Sequence, residues 1–114
     1  MGTITRNVTG GGSFGVVTQI LAPGDNRGRP LQSIYFANSR SAIDASSVID
    51  IFIQNIGDSG KATETYYLLR HIVIPSGAGL LLDDPTMLLY DYSKFSLFVQ
   101  CQGSSDEVDV IINY

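Results

Sequence analysis

The chain has 114 residues, 44% of them hydrophobic and only 16% charged, with a net charge of −4. That length suits one hydrophobic core, and a charge content under the usual ~25% argues against disorder and for a surface partly covered by partners. Two lysines, Lys61 and Lys94, and five scattered arginines form no basic stripe, which excludes a phosphate-neutralising nucleic-acid binder.

In chain order, the stretch from Gly2 to Gly15 holds five of the twelve glycines and almost no apolar side chain before Phe14. It predicts an extended N-terminal arm over residues 1–13, either a frayed terminus or a strand laid on a neighbouring subunit, ahead of a single domain over 14–114. The same N-terminus lacks the apolar core of a secretion signal, and one cysteine, Cys101, makes no internal disulfide, so synthesis in a cytoplasm is expected. Apolar runs break within a few residues, far short of the roughly 20 that span a bilayer, and no membrane partner is expected.

From Phe14 onward, runs rich in Val, Ile, Leu, Phe and Tyr alternate with Gly, Pro, Asn, Asp and Ser clusters. Strands are predicted at Phe14–Leu21, Leu31–Asn38, Val48–Asn55, Thr63–Ile74, Gly79–Leu82, Met87–Tyr90, Lys94–Gln102 and Glu107–Asn113, with a short helical turn within Ser39–Ser47. The breaks are Pro23 to Asn26, Gly57 to Gly60, Pro75 to Gly79 and Gly103 to Asp106. Alternation places Ile49, Ile51 and Ile53 on one face, and does the same for Phe95, Leu97, Val99 and Cys101 and for Val108, Val110 and Ile112. The pattern predicts an all-β antiparallel sandwich of about eight strands, jelly-roll or immunoglobulin-like. Phe52, Phe98 and Ile111 then fall on the outward faces, where a loop, a curled sheet or a neighbouring subunit must cover them.

Chemistry finds few residues to work with. His71 is the only histidine, and lies inside a strand run where a hydrogen-bonded role is expected rather than a metal-ligating one. Cys101 falls on an apolar face without a CxxC partner. The acidic groups Asp83, Asp84 and Asp91, and Asp106, Glu107 and Asp109, lack the spacing of a calcium loop and read as turn and edge charges. Gly10-Gly11-Gly12 has no following Lys and Ser or Thr to cradle a phosphate, and no serine sits in a GxSxG frame. No enzyme activity, metal or cofactor is expected.

The segments Leu31 to Asn38, Val48 to Asn55, Tyr66-Tyr67-Leu68, Val73 to Gly79 and the closing Val108 to Tyr114 together resemble a small virion module of tailed bacteriophages, over roughly residues 16 to 114. That resemblance implies a β-sandwich structural protein of the virion, made in the host bacterial cytoplasm. A capsid cement or decoration protein that contacts the major capsid protein and forms a homo-oligomer, such as a trimer, is the leading expectation. A head-fibre, neck, tail or baseplate component is the alternative of the same kind. A carbohydrate-binding module stacking sugars on Tyr35, Tyr90 and Tyr92 is the alternative of a different class. Contact residues are expected on the arm (Thr3, Ile4, Arg6, Val8), in the loop (Arg27, Arg29) and at the outward aromatics (Phe52, Phe98).

Overall fold

The computed structural model describes residues 2–10, 15–55 and 63–114. Its strands are β1 (Thr3–Thr9), β2 (Val16–Leu21), β3 (Ser33–Asn38), β4 (Ser47–Asn55), β5 (Glu64–Ile74), β6 (Gly79–Leu82), β7 (Ser96–Cys101) and β8 (Glu107–Asn113), with one helical turn, α1 (Pro85–Leu88). Two antiparallel four-stranded sheets form in the orders β1-β8-β3-β6 and β2-β7-β4-β5. Pairing of first with last, second with seventh, third with sixth and fourth with fifth is that of a long hairpin rolled into two layers, the jelly roll. This order selects the jelly roll over the immunoglobulin-like arrangement.

The inward rows close the core. Val108, Val110 and Ile112 from β8, Ile34 and Phe36 from β3, and Ile49, Ile51, Leu97 and Val99 from the opposite sheet are fully buried. Burying each such side chain contributes about 1.5–3 kcal/mol, and this term holds the layers together.

Turn chemistry fixes the connections. In the β2–β3 loop, Pro23 and Gly24 make a turn closed by Asp25 N–H donating to the Ala22 carbonyl at 3.1 Å, and Gly24 takes the left-handed φ of 92° that its place in the turn requires. Arg27 and Gly28 then make a second tight turn, with φ of 53° and 73°, closed by Arg29 N–H on the Asn26 carbonyl. At the other end of the barrel, the buried Asp106 carboxylate accepts from Val48 N–H (3.1 Å), Gly103 N–H (2.8 Å) and Arg40 Nη1 (3.3 Å). Asn38 Nδ2 donates to the Ala45 and Ile74 carbonyls, so side chains pin the loops there as a polar clasp.

Several expected elements differ. Thr3–Thr9, inside the segment read as an arm, is extended and pairs with β8 of its own chain in continuous register. Residues 11–13 of that segment, Phe14, the Gly57–Gly60 break and Lys61 lie outside the described residues. Met87–Tyr90 is not a strand, because Asp84 caps a helical turn there, accepting from Thr86 N–H at 2.8 Å with Pro85 at the first helical position. Ser39–Ser47 forms bends and a tight turn at Ile43 and Asp44 that the φ of 66° at Asp44 makes non-helical, with Asn38 and Arg40 drawn into the clasp.

A candidate protein interface

The pleat of the β1-β8-β3-β6 sheet sends one row of side chains outward across all four strands: Thr5, Ile111, Tyr35 and Leu81 are register partners in that order. Three of them are apolar and open, with Ile111 39%, Tyr35 38% and Leu81 54% exposed. The adjacent row is Asn7, Asp109, Ala37 and Gly79. Its small residues give the Tyr35 ring room to lie over Gly79, where an added Cβ would collide with the tyrosine hydroxyl. Asn7 Nδ2 donates to Glu107 Oε2 (2.9 Å) and Asp109 Oδ1 (2.8 Å), which fixes two carboxylates along the border of the apolar row. Between β1 and β8 lies a shallow depression of about 390 Å³ lined by Thr5, Arg6, Asn7, Asp109, Val110 and Ile111. This surface offers apolar area and hydrogen-bond acceptors, the equipment of a binding face.

The outer face of the β2-β7-β4-β5 sheet is different. Phe98, Phe52 and Tyr67 stand side by side on β7, β4 and β5. Phe52 stacks on Phe98 (centroids 5.5 Å apart, planes 12° apart) and tilts against Tyr67 at 5.3 Å, and the Arg70 guanidinium lies 4.3 Å over the Tyr67 ring. Phe52 and Phe98 keep only 4% and 8% of their surface, so the expectation that they are outward contact residues is corrected: their own neighbours cover them. Next to this stack β5 bulges, and His71 at φ 54° sits opposite Asp50. The buried Asp50 carboxylate accepts from His71 N–H at 2.6 Å and from Gln102 Nε2 at 2.5 Å, which gives the lone histidine's backbone a structural task.

The other expected contact residues separate by parity along β1. Val8 is fully buried against Val108 and Ile4 packs on the core, so Val8 belongs to the interior and is corrected as a contact residue. Thr3 is exposed and its hydroxyl donates to Asn113 Oδ1 at 3.1 Å. Arg6 reaches Asp25 at 3.8 Å, which ties β1 to the exposed loop carrying Arg27 and Arg29. The structure thus gathers Thr3, Arg6 and the arginine loop near one sheet edge and places Phe52 and Phe98 on the opposite layer. The sequence reading does not place Tyr35 and Leu81 in this exposed row. Alternation did flag Ile111, and the same parity applied to β3 and β6 identifies the other two.

Of the three tyrosines that a sugar site requires, Tyr90 and Tyr92 pack edge-to-face at 4.5 Å against the core, and Tyr92 is engaged by Leu31 N–H and the Leu88 carbonyl; only Tyr35 is exposed. Burial raises the Tyr90 hydroxyl pKa well above the ordinary phenol range. Burial, with Asp106 and Glu107 nearby, pushes the Cys101 thiol up to about 11, away from a reactive thiolate. Hydrogen bonds from the Ser93 side chain and backbone hold the Asp91 carboxyl below its usual range and make it a loop organiser. Among the described residues no three His, Cys, Asp or Glu side chains gather as a metal cluster, and no helix is long and apolar enough to cross a membrane.

The geometry therefore defines an eight-stranded jelly roll in which one outer face carries the open row of Ile111, Tyr35 and Leu81, while the other is closed over Phe52 and Phe98 at its centre and leaves Val17, Tyr67 and Val73 exposed around them. Comparison of the chain with protein-family models, with curated proteins and with solved structures finds no match.

Proposed function

We propose that this chain is a structural protein of a tailed-phage particle, a cement or decoration protein that strengthens the mature head through protein–protein contacts. The observation that carries this reading is the open row of Ile111, Tyr35 and Leu81 across a sheet whose loops are clasped, bordered by Glu107 and Asp109. A rigid apolar row suits repeated docking on a shell, where many weak contacts add through effective concentration. The jelly-roll architecture also occurs in lectins and enzymes, so the fold alone does not make the argument. The resemblance of the strand segments to phage virion modules supplies the rest. The partners on this reading are the major capsid protein and further copies of the chain, and the location is the virion.

The test is binding of the purified chain to mature capsids of its own phage, together with its copy number per particle. Hundreds of copies and saturable capsid binding are expected. A dozen or so copies place it in the neck or tail, and its absence from purified particles ends the reading. Tyr35→Asp with Leu81→Asp should abolish capsid binding while the melting temperature stays within a few degrees, because both side chains are already exposed.

A further inference from the structure

A jelly roll has four sheet edges, and three of them here are blunted. β2 shifts register between Gln19 and Leu21, β5 shifts twice and carries the left-handed His71, and β6 is only four residues long and runs into Asp83-Asp84-Pro85. β1 is the exception: seven residues pair with β8 without a shift, and the strand holds neither Pro nor Lys.

The ladder shows which backbone groups that edge presents. Gly2 and Tyr114 exchange both N–H···O bonds (2.7 and 3.0 Å), and Gly10 N–H donates to Asp106 O at 2.8 Å. Antiparallel pairing alternates residue by residue, so Gly2, Ile4, Arg6, Val8 and Gly10 face β8. Thr3, Thr5, Asn7 and Thr9 aim their N–H and C=O groups at the other side, an edge with which no strand among the described residues pairs. Arg6 Nη1 donates to the Thr5 carbonyl at 3.1 Å, a side-chain cap on this edge that has to swing aside for a strand to pair.

We infer that a second copy of this chain fills the edge, β1 against β1 about a two-fold axis through Thr5, so that two four-stranded sheets become one sheet of eight. Three registers bring the edge-facing residues of both copies together near the middle of the strand. One centred on Arg6 sets two like charges opposite each other, which disfavours it. One centred on Asn7 brings together the Glu107 and Asp109 carboxylates that Asn7 binds in each copy. The Thr5 register pairs Thr5 with Thr5 and Thr3 with Asn7, puts Arg6 beside Ile4, and forms roughly six backbone hydrogen bonds. It also joins the two apolar rows end to end, Leu81, Tyr35, Ile111 and Thr5 running straight into Thr5, Ile111, Tyr35 and Leu81 of the second copy. That continuity commits the edge to a second copy. A contact this short belongs to the class burying less than about 1,200 Å², so a dissociation constant on the order of 100 µM is expected in solution.

This pairing does not depend on the particle assignment, and the isolated chain tests it. Sedimentation equilibrium from about 10 µM to about 1 mM should show a monomer–dimer equilibrium. Thr5→Pro removes an edge-facing N–H while sparing the β8 ladder, and should weaken association at least tenfold with the circular dichroism unchanged. Thr5→Lys sets like charges across the axis on an exposed side chain and should weaken it comparably, which serves if the proline variant fails to fold. Mild oxidation should cross-link Thr5→Cys to itself much faster than Asn7→Cys, because only residue 5 lies on the axis. A chain that stays monomeric up to 1 mM, unchanged association in Thr5→Lys, or equal cross-linking at both positions overturns the inference. Loss of capsid binding in Thr5→Lys of a chain that is monomeric alone overturns it too, by assigning the edge to another protein's strand.

Discussion

On the β1-β8-β3-β6 sheet Ile111, Tyr35 and Leu81 stand open to solvent, whereas on the β2-β7-β4-β5 sheet Phe52 and Phe98, equally outward by parity, are closed over. The cause lies in the neighbours. Around Tyr35 the cross-strand positions are Ile111 and Leu81, both themselves exposed, and the next row along holds only Ala37 and Gly79, too small to cover the ring. Around Phe52 they are Phe98 and Tyr67, with Arg70 above the Tyr67 ring, and on the far side of Phe98 lies Gln19, whose amide donates to Ser96 Oγ at 2.9 Å. One outer face keeps its central apolar row open, and the other covers its central pair of phenylalanines while Val17, Tyr67 and Val73 stay exposed around them.

The strongest test of that contrast is a pair of truncations. Phe52→Ala should cost about 3–5 kcal/mol, as for a core aromatic, and Tyr35→Ala under about 1 kcal/mol, measured by urea unfolding. Similar costs would break the comparison. Next come the carboxylates. Asp50→Ala strands His71 N–H and the Gln102 amide in a part-buried setting and should cost about 2–4 kcal/mol, whereas Asp109→Ala, on the open face, should change stability by about 0.5 kcal/mol or less.

The closed sheet also makes a pH prediction through Cys101, on the inner face of β7. The thiol is raised from 9.0 to about 11 by burial and by Asp106 and Glu107, so the fold favours the neutral form. A raised folded value gives stability that is complete below pH 9 and lost as the pH climbs toward 11, by about 2–3 kcal/mol. Tyr and Lys titrate in the same window, so the readout is the difference in slope between the native chain and Cys101→Ala. Identical slopes would mean that the thiol is not enclosed.

Much of the layer structure was legible because period two survives wherever one face meets a core: Val108, Val110 and Ile112 are all fully buried, as their spacing predicts. β1 was harder to read, since its inward side alternates Ile4 and Val8 with a charged Arg6 and its neighbours are glycines, so a strand of the sandwich looked like a tether. The expected count of eight was met with different members, β1 standing in for Met87–Tyr90, whose Asp-Pro-Thr start carried a helix-cap signal outweighed by its apolar side chains. Parity marked Phe52 and Ile111 alike as outward. It has no knowledge of which strand lies alongside, and that adjacency alone separates a covered aromatic from an open contact row.

The smallest expected effect concerns what keeps the closed sheet's edge irregular. His71 holds φ 54°, a conformation that costs a residue with a Cβ about 1–2 kcal/mol and glycine almost nothing. Its N–H must still reach Asp50, but that bond belongs to the backbone and survives any side chain. The imidazole adds only a 3.7 Å approach of Nδ1 to Asp50 Oδ1 from a largely solvated ring, and such pairs are worth little. Set against the extra unfolded-state freedom of glycine, His71→Gly should stabilise the chain by about 0.5–1 kcal/mol, while His71→Ala, which keeps the Cβ and the strain, should be neutral or slightly destabilising. Equilibrium unfolding of the three proteins checks the order Gly above His above or equal to Ala. If glycine proves the least stable, the imidazole contact with Asp50, and not the backbone bond, holds the bulge that blunts the β5 edge.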